Sequence, residues 1–116
     1  MSNKYDIEVK QGSDKQITII VKSDGETPDN LTNYGARMQV RQRPTDKTVL
    51  DELTSDNDRI EITPLEGKLV LKFPSSVSSN YFFKEAVYDL ELFTGTPEVV
   101  TRLIQGGFSV DVEVTR

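Results

Sequence analysis

The chain contains no cysteine, no histidine and no tryptophan among its 116 residues. Without cysteine there are no disulfides and no thiolate metal sites, and redox chemistry does not specify a compartment. Without histidine or cysteine the common nucleophile–base pairs cannot be assembled. Positive charge is in short supply too: 14 Lys and Arg against 19 Asp and Glu leave a net charge of -5. Such a balance favours solubility and argues against nucleic acid, whose phosphates it repels. Long apolar runs are missing: no stretch approaches the ~20 apolar residues that span a bilayer, so no membrane partner is expected. Residues 1–6 lack the apolar core of a signal peptide, and the expectation is a protein made and retained in the cytosol.

What is present is period-two alternation. Ile7 and Val9, with Tyr5 before them, alternate with Asp6, Glu8 and Lys10; Ile17, Ile19 and Val21 form a second run. Ala36, Met38 and Val40 alternate with Arg37, Gln39 and Arg41. Val49, Leu50 and Leu53 mark a short fourth strand, Ile60 and Ile62 a fifth, and Leu69, Leu71 and Phe73 a sixth. Ala86, Tyr88, Leu90 and Leu92 precede a turn around Pro97, and the pattern resumes from Val99 to Ile104 and from Phe108 to Val114. Gly, Pro, Asn and Asp fill the intervals, where each eases a sharp or positive-φ backbone. Strands with one apolar face must bury it, and two sheets packed face to face do so for all of them. The reading is a single all-β domain over residues 1–116. It is a two-sheet Ig-like sandwich of about eight antiparallel strands with Greek-key connections. The longest polar stretch, residues 24–33, is long enough to cross between the sheets.

Three features stand apart from the alternation. Residues 75–83 read either as one helical turn capped by Ser75 or Ser76, or as a crossover loop that lays Tyr81 and Phe82 over the end of the core. Tyr88 follows a corner. It is read either as a tyrosine that returns its hydroxyl to nearby backbone, as in Ig-like sandwiches, or as a large core residue with its hydroxyl at the rim. Gly106-Gly107 sits inside the last run, between Leu103 and Phe108 of opposite parity. A bulge there would restore the inward set; a close backbone approach and a tight hairpin turn are the alternatives.

The search for chemistry returns little. A glycosidase needs only two carboxylates. Asp89 and Glu91 stand two apart on a strand face, but so do Asp111 and Glu113, as solvent-facing positions normally do. The nearest approach to a calcium cluster is Asp56, Asn57 and Asp58, with Asp24, Glu26 and Asp29 behind it, and its spacing matches no known loop. No catalytic, cofactor-binding or metal residue is assigned, and the chain reads as a non-enzyme. Arg37, Arg41 and Arg43, with Lys47, put positive charge on one strand, where acidic neighbours such as Asp89 and Glu91 would pair with it. Asn30-Leu31-Thr32 matches a glycosylation sequon without a secretion signal to support its use.

The segments "NLTNYGARMQVR" and "TVLDELTS" resemble the opening of small Ig-like proteins encoded among bacteriophage tail and virion genes. The likeness runs from about Lys10 to the end, through Leu31, Thr32 and Tyr34; Arg37 and Arg41; Gly67; residues 88–92; Thr101, Arg102 and Leu103; Gly106; and residues 110–116. Two departures are the second glycine, Gly107, and the aromatic content of residues 75–83. The resemblance implies a virion structural component of tail, baseplate, neck or capsid surface, assembled in the host cytoplasm and docked on other virion proteins. It implies no catalytic residue. Virion proteins are often symmetric, so a homo-oligomer such as a trimer is expected, and edge strands offer one way for copies to pair. Tyr81, Phe82, Phe83 and Phe93 are the expected interface, since aromatic side chains bring large contact area at low entropic cost. Capping of the domain's own core is the competing role. The alternative function is a carbohydrate- or receptor-binding sandwich for host attachment, using Tyr5, Tyr34 and Tyr81.

Overall fold

The computed structural model describes residues 3–95 and 98–112. Thr96 and Pro97, where a turn is expected, and the closing residues 113–116, including Val114, lie outside the described residues. Among the described residues nine strand segments form: β1 (Asn3–Lys4), β2 (Ile7–Lys10), β3 (Lys15–Ile20), β4 (Gly35–Arg41), β5 (Asp51–Thr54), β6 (Ile60–Thr63), β7 (Lys68–Phe73), β8 (Glu85–Thr94) and β9 (Val99–Asp111). The larger sheet runs β1-β9-β8-β4-β5, with β2 also on β9, and the smaller runs β3-β7-β6. β1 and β2 are two pieces of one edge, which leaves eight strands in the sandwich. Setting β3, β7 and β6 against β9, β8 and β4 reproduces the strand division of Ig-like folds.

The alternation sets the faces. Ala36, Met38 and Val40 of β4 are buried while Arg37, Gln39 and Arg41 are half-exposed. Leu90 and Leu92 of β8 meet Leu69, Leu71 and Phe73 of β7 in the same core. The polar stretch 24–33 carries the chain from β3 to β4 and so changes sheets. It is pinned where Asp29 N donates to Val21 O at 2.8 Å and Leu31 N to Pro64 O at 2.9 Å. Gly67 closes that corner at φ 58, where a Cβ would stand 2.8 Å from Asp29 O. Only glycine fits both the left-handed backbone and the close approach.

Residues 75–78 form a single helical turn, α1 (Ser75–Ser78). Its cap is not a serine, as the pattern suggested. Pro74 occupies the N-cap, and Ser75 N donates instead to Asp14 Oδ1 at 2.7 Å. Ser78 is fully buried; its hydroxyl donates to Ser13 O at 2.8 Å and accepts from Gly12 N at 3.1 Å. The turn is therefore locked onto the β2–β3 connection by polar bonds from a distant part of the chain.

The N-terminal edge departs from the antiparallel expectation. Both β1 and β2 run parallel to β9, with Asn3 opposite Ile104 and Ile7 opposite Phe108. Alternation sets the face of a strand and is silent on its direction. The glycine pair is explained by this edge. Gly106 lies under the break between β1 and β2: a Cβ there would collide with the Tyr5 carbonyl oxygen and stand 2.8 Å from its carbon. Gly107 N donates to Asp6 Oδ1 at 2.9 Å, which supplies a partner where the strand is interrupted. So Gly106 marks a close backbone approach, and there is no hairpin, because β9 runs through both glycines. The bulge lies upstream. Leu90 pairs with Ile104 and Glu91 with Arg102, which leaves Leu103 as the extra residue. That insertion changes the parity of β9, and both Leu103 and Ile104 pack against the core.

Candidate functional site

The four aromatics expected at an interface separate. Tyr81 is 3% exposed and belongs to the domain's own core. Its ring lies 5.8 Å from Phe108, edge-on, and 5.2 Å from half-buried Phe83. Phe83 and Phe73 lie 6.0 and 5.8 Å from the same Phe108 ring, so these aromatics plug one end of the sandwich. Only Phe82, 76% exposed, projects from that segment. For Tyr81 the competing, core-capping role is the one observed, and the partners that hold it, Asp51 and Phe108, are remote in sequence. Phe93, half-buried on the outer face of β8, lies against Gly35 and carries the Arg37 guanidinium 4.8 Å from its ring centroid. It is engaged within the domain.

Exposed apolar residues gather elsewhere. Among the described residues the large ones are Tyr5, Ile20, Tyr34, Leu65, Phe82, Val99, Val100 and Val112. Ile20 ends β3, Leu65 lies in the 3-10 turn before β7, Tyr34 precedes β4, and Val99 and Val100 open β9. These five share one end of the sandwich, since Leu31 N bonds Pro64 O and Gly35 pairs with Phe93. That end is opposite to the one holding Tyr81 and Phe82. Beside it runs a groove of ≈ 680 Å³ between β3 and the first half of β9, where Ile19, Val21, Leu103 and Ile104 are only partly covered.

The outer face of the larger sheet is a lattice of charge. Arg37 Nε meets Glu91 at 2.9 Å and Arg37 Nη2 meets Glu98 at 3.0 Å, so the arginine–acid pairing across strands is present. Asp89 is approached by Arg102, at 3.7 Å. Arg41 donates to Asp46 O and to Gln39 Oε1. A shallow concavity of ≈ 530 Å³ is lined here by Lys4, Gln39, Arg41, Asp89, Arg102 and Gln105. Burial, and then the nearby Glu91 charge, raise the Asp89 carboxyl above its ordinary value against the pull of Arg102. The acidic turns are committed to backbone: Asp24 Oδ1 accepts from Glu26 N and Thr27 N, and Asn57 Oδ1 from Thr54 N and Arg59 N. Asp24 is held below the ordinary carboxylate value by those backbone donors.

Tyr88 combines both readings made of it. It is 4% exposed in the core, and its hydroxyl donates to backbone, but at Tyr5 rather than at a neighbour in its own corner. Burial, then the proximity of Tyr5 and Asp6, raises its phenol above 10.0. Burial, then Asp51, raises that of Tyr81 likewise. A folded-state pKa above the unfolded one means stability that is intact below pH 10 and lost as pH rises beyond it. Each tyrosine should cost the folding equilibrium up to about tenfold per pH unit above pH 10. Urea unfolding across pH 9 to 12 should show this fall, and Tyr81→Phe or Tyr88→Phe should make it shallower. An unchanged slope in both variants would contradict the assignment.

No protein-family model matches the chain, and none of the curated proteins compared with it matches either.

Proposed function

We propose that the chain is a non-enzymatic structural module of a bacteriophage virion, at the tail, baseplate, neck or capsid surface. It acts through protein–protein contacts. The observation that carries a contact role is the gathering of Ile20, Tyr34, Leu65, Val99 and Val100 at one end of the sandwich beside an open groove. Exposed apolar residues concentrated at one end of a domain are a candidate docking surface. The virion assignment rests on the resemblance, from about Lys10 to the end, to small Ig-like virion proteins. Of the expected interface residues Tyr81, Phe82, Phe83 and Phe93, Phe82 is the exposed one, and Phe93 lies at the opposite end, paired with Val100. The host-attachment reading is weaker, since Tyr81 is buried and only Tyr5 and Tyr34 remain as platforms.

Mass spectrometry of purified particles should detect the protein at stoichiometric level. Leu65→Asp with Val99→Asp, in a chain that still folds, should remove it from the particle. Particles that never contain the wild-type chain would overturn the proposal.

A further inference from the structure

We propose that β3 is a self-complementary edge through which two copies of this chain pair antiparallel about a two-fold axis at Thr18. The smaller sheets would join into one continuous sheet of six strands, β6-β7-β3 from each copy. Among the described residues β3 pairs with β7 alone. Val21 N donates to Gly67 O at 2.8 Å, which sets the alternation along the strand. Val21, Ile19, Ile17 and Lys15 turn their backbone groups toward β7, and Gln16, Thr18 and Ile20 turn theirs outward. Among the described residues these outward groups have no backbone partner. The side of the sandwich that it borders is incompletely closed, with Ile17, Ile19, Val21, Leu103 and Ile104 partly buried.

The occupant follows from register. Outward-facing residues must meet outward-facing residues, so the two sequence numbers in each pair sum to an even value. Centring on Thr18 places Thr18 on Thr18, Gln16 on Ile20, Ile17 on Ile19 and Asp14 on Lys22. Each apolar inward residue then extends the neighbouring copy's core face. Asp14 and Lys22 are both exposed and of opposite charge, and the two-fold makes the pair twice. A register centred one residue later sets Asp14 against Asp24, a like-charge pair that is unfavourable. One centred a residue earlier sets Gly12 against Lys22 and matches no charges. Lysines on edges usually guard against pairing. Here Lys15 and Lys22 bracket an uncharged run, residues 16–21, and each Lys22 faces a carboxylate. A two-fold edge contact closes on itself, so it yields a dimer and not a fibre.

This inference uses the fold alone: a monomer would overturn the pairing and leave docking on other virion proteins standing. The full chain should be dimeric by sedimentation equilibrium. Thr18→Pro removes an outward N–H that β7 does not use, and should raise the dimer dissociation constant by roughly thirtyfold. The chain's lack of cysteine gives a second readout that does not depend on that variant folding. Thr18→Cys should form an intermolecular disulfide on mild oxidation, because directly opposed hydrogen-bonded residues have Cα atoms about 5.5 Å apart. Gln16→Cys, whose mate lies far along the strand, should not. A monomer at every concentration, a dimer unchanged in Thr18→Pro, or equal cross-linking of the two cysteine variants would each overturn the proposal.

Discussion

Replacing Arg59 with Ala should destabilise the domain by about 3–5 kcal/mol, the usual cost of breaking a buried ion pair by removing one partner. Arg59 precedes β6 and reaches two other strands, β7 and β5. Its Nε donates to Lys72 O in β7 at 2.8 Å. Its Nη1 and Nη2 donate to Asp51 Oδ1 and Oδ2 in β5 at 3.2 and 2.8 Å. Its guanidinium carbon is 6.0 Å from the Phe73 ring centroid. The Tyr81 hydroxyl donates to Asp51 Oδ2, which brings the 79–84 loop into the same network. Arg59 and Asp51 side chains are only 14% and 13% exposed, so water screens them little. Burial opposes the charge on Arg59, yet Asp51 outweighs it and holds the guanidinium above its ordinary value. Without Arg59 the Asp51 carboxylate keeps the Tyr81 hydroxyl and the Glu52 N–H as donors but loses its counter-charge, and the Lys72 carbonyl loses a partner. Urea unfolding of Arg59→Ala against Arg43→Ala checks this. Arg43 is 75% exposed, and its loss should stay within about 0.5 kcal/mol. A triple variant, Asp51→Leu with Arg59→Met and Tyr81→Phe, should recover most of the lost stability, since apolar replacement removes the desolvation penalty along with the pair. A small loss in Arg59→Ala would mean that the network is solvated.

How much of this was legible beforehand divides along one line. Which face each residue takes is a local property with a period of two. Met38, Val40, Leu71, Leu90 and Phe108 therefore lie in the core that their spacing assigned them. The crossover at 24–33 was legible from its length and polarity. Arg37 opposite Glu91 followed from charge alternation on two strands that had to be neighbours. What alternation does not carry is pairing direction, hence the parallel edge of β1 and β2. Nor does it carry bonds between distant segments. Ser75 looked like its own cap, and the cap came from Asp14. Tyr81 and Phe82 are adjacent aromatics, yet one is buried and the other is free, because Asp51 and Phe108 hold only the first. The bulge was correctly inferred from the parity of Leu103 and Phe108 and misplaced by three residues, because glycine was taken as its marker. The glycines answer to a different constraint.

That constraint is testable because it separates two adjacent residues of the same type. Gly106→Val should destabilise the domain by about 3 kcal/mol, at the upper end of overpacking costs, while Gly107→Ala should change it by less than about 1 kcal/mol. At Gly106 the new Cβ would enter the Tyr5 carbonyl, and backbone cannot yield as a flexible side chain does. The strand edge would have to move off β9. Such a movement would also pull the Tyr5 carbonyl from the Tyr88 hydroxyl and the Tyr5 N–H from Gln105 O, 3.0 Å away. At Gly107 the nearest atom to a Cβ is Asp6 Oδ1 at 3.4 Å, an ordinary contact with a side chain that can rotate. Hydrogen exchange would localise the effect. In Gly106→Val the amides of Tyr5 and of β2 should lose protection first, while those of β4 and β7 lose it only with global unfolding. Tyr88→Phe keeps the ring and removes one donor, so it should cost about 1 kcal/mol and leave the edge attached. Equal losses at the two glycines would mean that the pair is needed for strand flexibility, and that the carbonyl over Gly106 is incidental.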